Sequence, residues 1–306
     1  MIATQTNPTS GRVVTPNAAH EARLHVLHTR LGTLNARRMK PTTDAASFRA
    51  GLESELELRL EEATFLENEL RSIEPALSAV PTDPDAFMQW FEALRENGPG
   101  QNDSLFPWLQ HEATLEQMRW FVTQEIGGEA GFDDLVAWTQ VGFPDRPKLE
   151  MARNYWDEMG RGHAKGMHGP MLQDAATELQ VQADPRTTVW QALALSNLMA
   201  GLAYNRHYAF HSAGALGVVE MTAPGRVSMV NEGMRRLGVS ALGRRYFQVH
   251  AALDIKHSEE WNREVLRPLV EADPSSARAL AAGALLRLQA GQRCFARYRQ
   301  HLGVSS

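Results

Sequence analysis

Along most of the chain, apolar residues return every three or four positions, the period of an amphipathic helix. In ASFRAGLESELELRLEEATFLENELRSI, from Ala45, they are Phe48, Leu52, Leu56, Leu60 and Phe65. PTDPDAFMQWFEALRENG begins with a capping signal and has Gly98 at its end, which brackets a helix. SLFPWLQHEATLEQMRWFVTQEIGG places Leu115, Met118, Phe121 and Val122 on helical spacing, and AGFDDLVAWTQVGFPDRP stops at a proline-rich turn. KLEMARNYWDEMGRGHAKGMHGPMLQDAATEL starts as a helix and is then interrupted by glycines at 160, 162, 166 and 169. A long helix is expected from Asp184-Pro185 to an end at Pro224, followed by a shorter one over RVSMVNEGMRRLG. SALGRRYFQVHAALDIKHSEEWNREVLRPLVEADP reads as a second long helix, and SSARALAAGALLRLQAGQRCFARYRQHL closes the chain. No run alternates β-branched and polar residues between turn signals, so strands are expected to be nearly absent. No period repeats, which favours one bundle over a solenoid.

Residues 1 to about 18 are rich in Thr, Asn, Pro and Ser and are expected to be mobile. HEARLHVLHTRLGTLNAR reads as a short helix, set apart by PTTD at 41–44. The expected organisation is a mobile leader over 1–44 and a single all-α domain over 45–302. The 306 residues are 43% apolar, enough for a large core. A net charge of −5 without a basic run argues against nucleic acid or an anionic membrane surface as partner. There is no apolar run near 18 residues and no secretory signal pattern. The lone Cys294 excludes an internal disulfide, suits a reducing cytoplasm, and reads as a small buried thiol on the last helix. A cytoplasmic location is expected.

The chemistry gathers at HAALDIKH, residues 250–257. At 100° per residue, Asp254 lies about 40° from His250, and His257 about 20° to its other side. Tyr246 and Trp261 extend the stripe, with Glu264 one turn further; large aromatics mark such a stripe as buried. Imidazole and carboxylate together suit Fe, Zn, Mn or Ni. On its own, the triplet is equally explained by a His–Asp hydrogen bond satisfying buried polar groups.

Metal sites in helical bundles draw ligands from several helices. Glu220 ends the small, apolar run GALGVVE, where a solubilising glutamate has no place; a salt bridge to Arg226 is the competing reading. Glu158 follows Tyr155 and Trp156 and competes with a reading as a surface glutamate at a helix end, while Asp157 points about 100° away. His168 would lie about 15 Å from Glu158 in an unbroken helix. The intervening glycines would let the chain bend back, and would make this segment the mobile part of a site. His163 competes for the same role. His207 and His211 read as core or supporting groups, and His20, His25 and His28 as solvent-facing.

ARNYWDEMGRG followed by His168, then GALGVVEMTAPGRV, then YFQVHAALDIKHSEEWNREVL together resemble the iron-containing redox enzymes of the heme-oxygenase-like diiron oxidase and oxygenase superfamily. The resemblance runs from about Phe106 to Val270. Its most specific element is the histidine–aspartate–histidine helix paired with an upstream glutamate after a small-residue run. It implies a heme-oxygenase-like bundle of about seven core helices, here with extra N-terminal helices. It further implies two Fe ions held by Glu158, His168, Glu220, His250, Asp254 and His257. Some members carry a glutamate three residues before the upstream histidine; here that position is Lys165. The implied activity is O2-dependent oxidation of a small organic substrate, an amino acid or amine before a fatty acid. It would proceed by N-oxygenation, oxidative C–C cleavage or desaturation, with an external electron donor and a homodimer as the default assembly. The competing readings are a metal-free ligand-binding or regulatory relative, and a heme-degrading enzyme with a single proximal histidine.

Overall fold

Local signals in the sequence set the helix boundaries. The computed structural model describes residues 16–129 and 131–305. In chain order the helices are α1 (Pro16–Met39), α2 (Ser47–Leu77), α3 (Pro84–Asn97), α4 (Leu105–His111), α5 (Leu115–Gly128), α6 (Phe132–Thr139) and α7 (Asp145–Glu158). They continue as α8 (His168–Leu179), α9 (Trp190–Tyr204), α10 (Ala209–Arg236), α11 (Arg245–Trp261), α12 (Arg267–Ala272) and α13 (Ser276–Leu302). Asp83 caps α3 by accepting from the Ala86 N–H at 2.9 Å, with Pro84 in the first turn, where its missing N–H costs nothing. Thr114 and Gln117 form a reciprocal capping box on α5. The described residues hold no strand, only an isolated antiparallel bridge between Met159 and Met167. The expected all-α architecture is what forms. No helix among the described residues is long and apolar enough to cross a membrane.

α10 is the axis of the bundle and packs along both α11 and α13. Its small-residue run makes this possible. A Cβ at Gly214 would strike the backbone of Leu280 on α13, and one at Gly283 would strike the backbone of His211. At Gly217 a Cβ would sit 2.7 Å from the ring of Trp261, which is fully buried and donates its indole N–H to the Ala213 carbonyl at 3.1 Å. The run GALGVVE therefore lets three helices approach closely, and Glu220 enters the interior at its end.

Four expectations are corrected. The 1–44 segment is not merely a leader: α1 packs on α9, burying Leu31 and Leu34, and Asn35 donates to Asn197 at 2.9 Å, so the bundle begins before residue 45. The expected mobility of residues 1–15 falls outside the described residues. His28 is not solvent-facing; it is buried between Phe65 and Trp190, and burial lowers its pKa to about 4. On α2 only Phe65 of the apolar series is buried, while Phe48, Leu52, Leu56 and Leu60 stay exposed, although α13, α1 and α9 all pack on this helix.

The fourth correction bears on the site. α10 does not end at Pro224 but runs through it to Arg236. A proline in mid-helix deletes one donor to the residue four back, here the carbonyl of Glu220. The flanking packing on α11 and α13 holds the helix straight enough to continue. α11, a π turn over Asn262–Leu266 and α12 form one continuous helical path, and Pro268 explains the π turn by withholding the N–H that Glu264 would otherwise receive.

Candidate metal centre

The chain brings six of the expected residues to one buried place. Glu158, His168, Glu220, His250, Asp254 and His257 are each at most 6% exposed. His250, Asp254 and His257 project from one face of α11, as their spacing requires. Glu220 comes from α10, Glu158 from the last residue of α7, and His168 from the first residue of α8.

The segment between α7 and α8 closes the distance that an unbroken helix would leave. Residues 160–162 and 164–166 form two short 3-10 turns, and the bridge between Met159 and Met167 folds them into a closed loop. Gly160 and Gly162 hold left-handed backbone at φ 59° and 84°, and Arg161 joins them at 52°. A Cβ on Gly160 would run into the Gly166 backbone. As a result His168 Nδ1 lies 2.8 Å from Glu158 Oε2 and 3.1 Å from His250 Nε2. His163 sits exposed on the same loop and does not join them.

The donor atoms fall into two groups that share a residue. Glu158, His168 and His250 offer atoms mutually within 4.8 Å, and so do Glu158, Asp254 and His257. Glu220 Oε2 lies 3.5 Å from His257 Nδ1, and Glu158 Oε1 lies 3.9 Å from the same atom.

Hydrogen bonds behind the donors fix which atom each presents. The ring Nδ1 of His250 donates to the Tyr246 carbonyl at 2.7 Å, leaving Nε2 free toward Glu158. His257 donates from Nε2 to Asp157 Oδ2 at 3.2 Å, leaving Nδ1 free toward Glu220. Asn154 donates to Glu220 Oε1 at 2.7 Å and so turns Oε2 inward. Outer partners of this kind set the tautomer and aim of ligating groups.

The electrostatics describe a site short of positive charge. Burial, followed by the charges of Glu220 and Glu158, pushes the pKa of Asp254 well above the usual carboxylate range. His257 is raised to about 9: burial opposes this, but the carboxylate of Glu220 3.5 Å from Nδ1 and the hydrogen bond to Asp157 outweigh it. His168 is raised well above its ordinary value because Glu129 and Glu158 overcome its burial. Burial also opposes ionisation of Glu158, yet bonds from His168 and His250 hold its pKa low. Asp254 Oδ1 and His257 Nδ1 are buried without any hydrogen-bond partner. Unpaired buried polar atoms are costly and rare. A cation between these atoms would satisfy them and offset the repulsion among three carboxylates, so the donor set fits iron.

Among the expected supporting residues, Tyr246 is at the site, its hydroxyl 3.3 Å from His168 Nε2. Trp261 is buried but serves the α10 contact, not the donors. Glu264 is drawn off to the surface by Arg146 and Arg263. His211 lies at the start of α10, edge-on to Tyr208 and away from the donors, with its pKa lowered to about 4 by burial. Arg226 does not pair with Glu220; it bonds Gln101 and Thr222.

Two residues escaped the sequence reading. Glu129, just past α5, accepts from the Gly131 and Phe132 N–H groups at 3.0 and 3.1 Å through Oε1 and faces His168 Nε2 at 3.7 Å through Oε2. Asp157 is turned away from Glu158 as expected, and that direction is what carries it to His257.

A cavity of about 150 Å³ opens beside the donors, with Glu158, His168, Glu220, His250 and Asp254 in its wall. The buried Cys294 also borders it, its thiol pKa pushed up to about 12 by burial, so it is an inert thiol at neutral pH.

No curated protein matches this chain. The family model described as "Iron-containing redox enzyme" matches residues 119–292, a stretch running from α5 into α13 that contains all six candidate ligands. With an all-α, heme-oxygenase-like bundle and more than half of its length matched, the chain belongs to the iron-containing redox enzyme family.

Proposed function

We propose that the chain is a non-heme diiron oxidase or oxygenase that uses O2 to oxidise a small organic substrate, an amino acid or amine. The observation that carries this reading is the sharing of Glu158 between two buried donor groups, Glu158–His168–His250 and Glu158–Asp254–His257. A carboxylate has two oxygens and can serve two cations at once, and three carboxylates offset most of the charge of two Fe(II) ions. A heme would need one axial histidine and a wide apolar slot; three convergent carboxylates suit it poorly.

In this reading His168, His250 and Glu158 would hold one iron, and His257, Asp254, Glu220 and Glu158 would hold the other. When bound, reduced iron would supply the electrons that activate O2. The chain itself orients the donors through Asn154, Asp157 and the Tyr246 carbonyl, excludes bulk water with the apolar cavity wall, and places Tyr246 Oη as a hydrogen-bonding group beside His168. Substitution at the outer partners is expected to weaken metal binding by about 10- to 100-fold.

The test is anaerobic Fe(II) loading followed by O2. A transient visible absorption is expected in the parent chain and not in Asp254→Ala. No absorption, together with fewer than two irons per chain, contradicts the reading.

A further inference from the structure

The cavity beside the donors has a second polar region. Its wall is largely apolar, built by Phe106, Phe121, Phe132, Val230, Phe247 and Phe295. Into this wall come two arginines, Arg226 from α10 and Arg287 from α13, with Glu125 from α5. Arg226 lies six residues beyond Glu220, about 9 Å further along the α10 axis.

The arginines have carboxylates nearby but none in contact: the charge of Glu125 acts on both, and that of Glu129 on Arg287, at longer range. The Arg226 guanidinium donates to two neutral acceptors, Gln101 Oε1 at 3.3 Å and Thr222 Oγ1 at 3.1 Å, and lies over the rings of Phe106 and Phe295 at 5.8 and 5.5 Å. Among the described residues neither arginine is in an ion pair, Glu125 included. Burial lowers both guanidinium pKa values, that of Arg226 to about 9 with help from the charge of Arg287. Burial raises the pKa of Glu125 in turn. The two half-buried guanidinium groups thus face the cavity with N–H donors that, among the described residues, no carboxylate takes up in an ion pair, and a ligand carboxylate entering the cavity would engage them. Guanidinium groups bind carboxylates through paired, planar hydrogen bonds. Arg226 also borders an outer groove with Arg95, Gln101, Pro107, Met229 and Ile255, so it stands between that groove and the inner cavity.

We propose that Arg226 and Arg287 bind the carboxylate of the substrate, whose apolar body lies along the phenylalanine wall and whose far end reaches toward Glu158 and Glu220. The substrate is thus a small carboxylic acid, an amino acid and not a simple amine. The proposal rests on the metal-centre reading only for the direction in which the acid points.

The experiment is calorimetric binding of 3-phenylpropanoate, L-phenylalanine and 3-phenylpropylamine to the full chain, with and without Fe(II), under anaerobic conditions. Both acids are expected to bind at least tenfold more tightly than the amine. Arg226→Gln and Arg287→Gln should each weaken acid binding at least tenfold while the iron content stays at the parent value, and Arg226→Lys should restore part of the loss. Thermal melts identify a variant that fails to fold, in which case the acid–amine preference of the parent chain decides. An amine that binds as well as the acids, acids that do not bind, or folded glutamine variants with parent affinity would overturn the proposal. Acid preference with fewer than two irons per chain sinks the diiron reading and leaves the arginine site standing; two irons without acid preference does the reverse.

Discussion

Asp254 is poorly accommodated in the metal-free protein. Its carboxyl group is buried near Glu220 and Glu158, and Oδ1 has no donor. Asp254→Asn removes the cost of either charging or protonating this buried carboxyl group, so it should stabilise the metal-free chain by about 1–2 kcal/mol, on the scale of one buried polar mismatch. The same change should remove one iron, and paired melts and metal analysis check both halves. His257 gives a pH dependence. Its folded pKa of about 9 exceeds the ordinary 6.5, so the stability it contributes is fully present below about pH 6.5 and is lost as the pH rises through 9. Melts of the metal-free chain between pH 6 and 9.5 should fall over that window, and less so in His257→Gln. Iron must displace the protons on Asp254 and His257, so Fe(II) affinity should rise over the same range. The legibility of single residues follows from how local their evidence is. His250, Asp254 and His257 share one rigid helix, and simple angular arithmetic finds them. Glu129 could not be found this way, because it meets a histidine 39 positions later only through tertiary packing.

At the scale of elements, the loop between α7 and α8 decides whether Glu158 and His168 meet. The glycines signalled a bend, but not which of its two histidines would face inward; backbone closure through Met159 and Met167 leaves His163 outside. Gly160→Ala places a Cβ on left-handed backbone and against Gly166. It should cost about 1–3 kcal/mol and weaken iron binding at least tenfold, measured by competition with a chromogenic chelator. An alanine at Lys165, exposed on the same loop, should change neither. On α10, Gly214→Ala forces apart backbones that now touch; a loss of about 1–3 kcal/mol or more is expected from denaturant melts. The small-residue run marked α10 as buried from sequence, yet Pro224 misled the reading of its end. A proline lowers helix propensity locally, and only tertiary packing, absent from a single sequence, can override it.

For the whole molecule, periodicity was enough to read an all-α bundle, because nearly every helix carries its own apolar stripe. The boundary at residue 45 was not legible, since the polar PTTD segment that suggests a linker connects two helices of the same bundle, α1 and α2. Nor could the stripe on early α2 be read correctly: periodicity reports amphipathicity, not whether a partner helix covers it, and Phe48, Leu52, Leu56 and Leu60 lie uncovered. The bundle's purpose in this account is to hold three carboxylates and three imidazoles from four helices around a pair of metal ions. The most direct measurement is the iron-to-chain ratio after anaerobic Fe(II) reconstitution and removal of loose metal, in the parent chain and in Glu158→Ala. Sharing of Glu158 predicts two irons per parent chain and at most one in the variant. Saturation of the parent at a single iron, or two irons retained without Glu158, would contradict it.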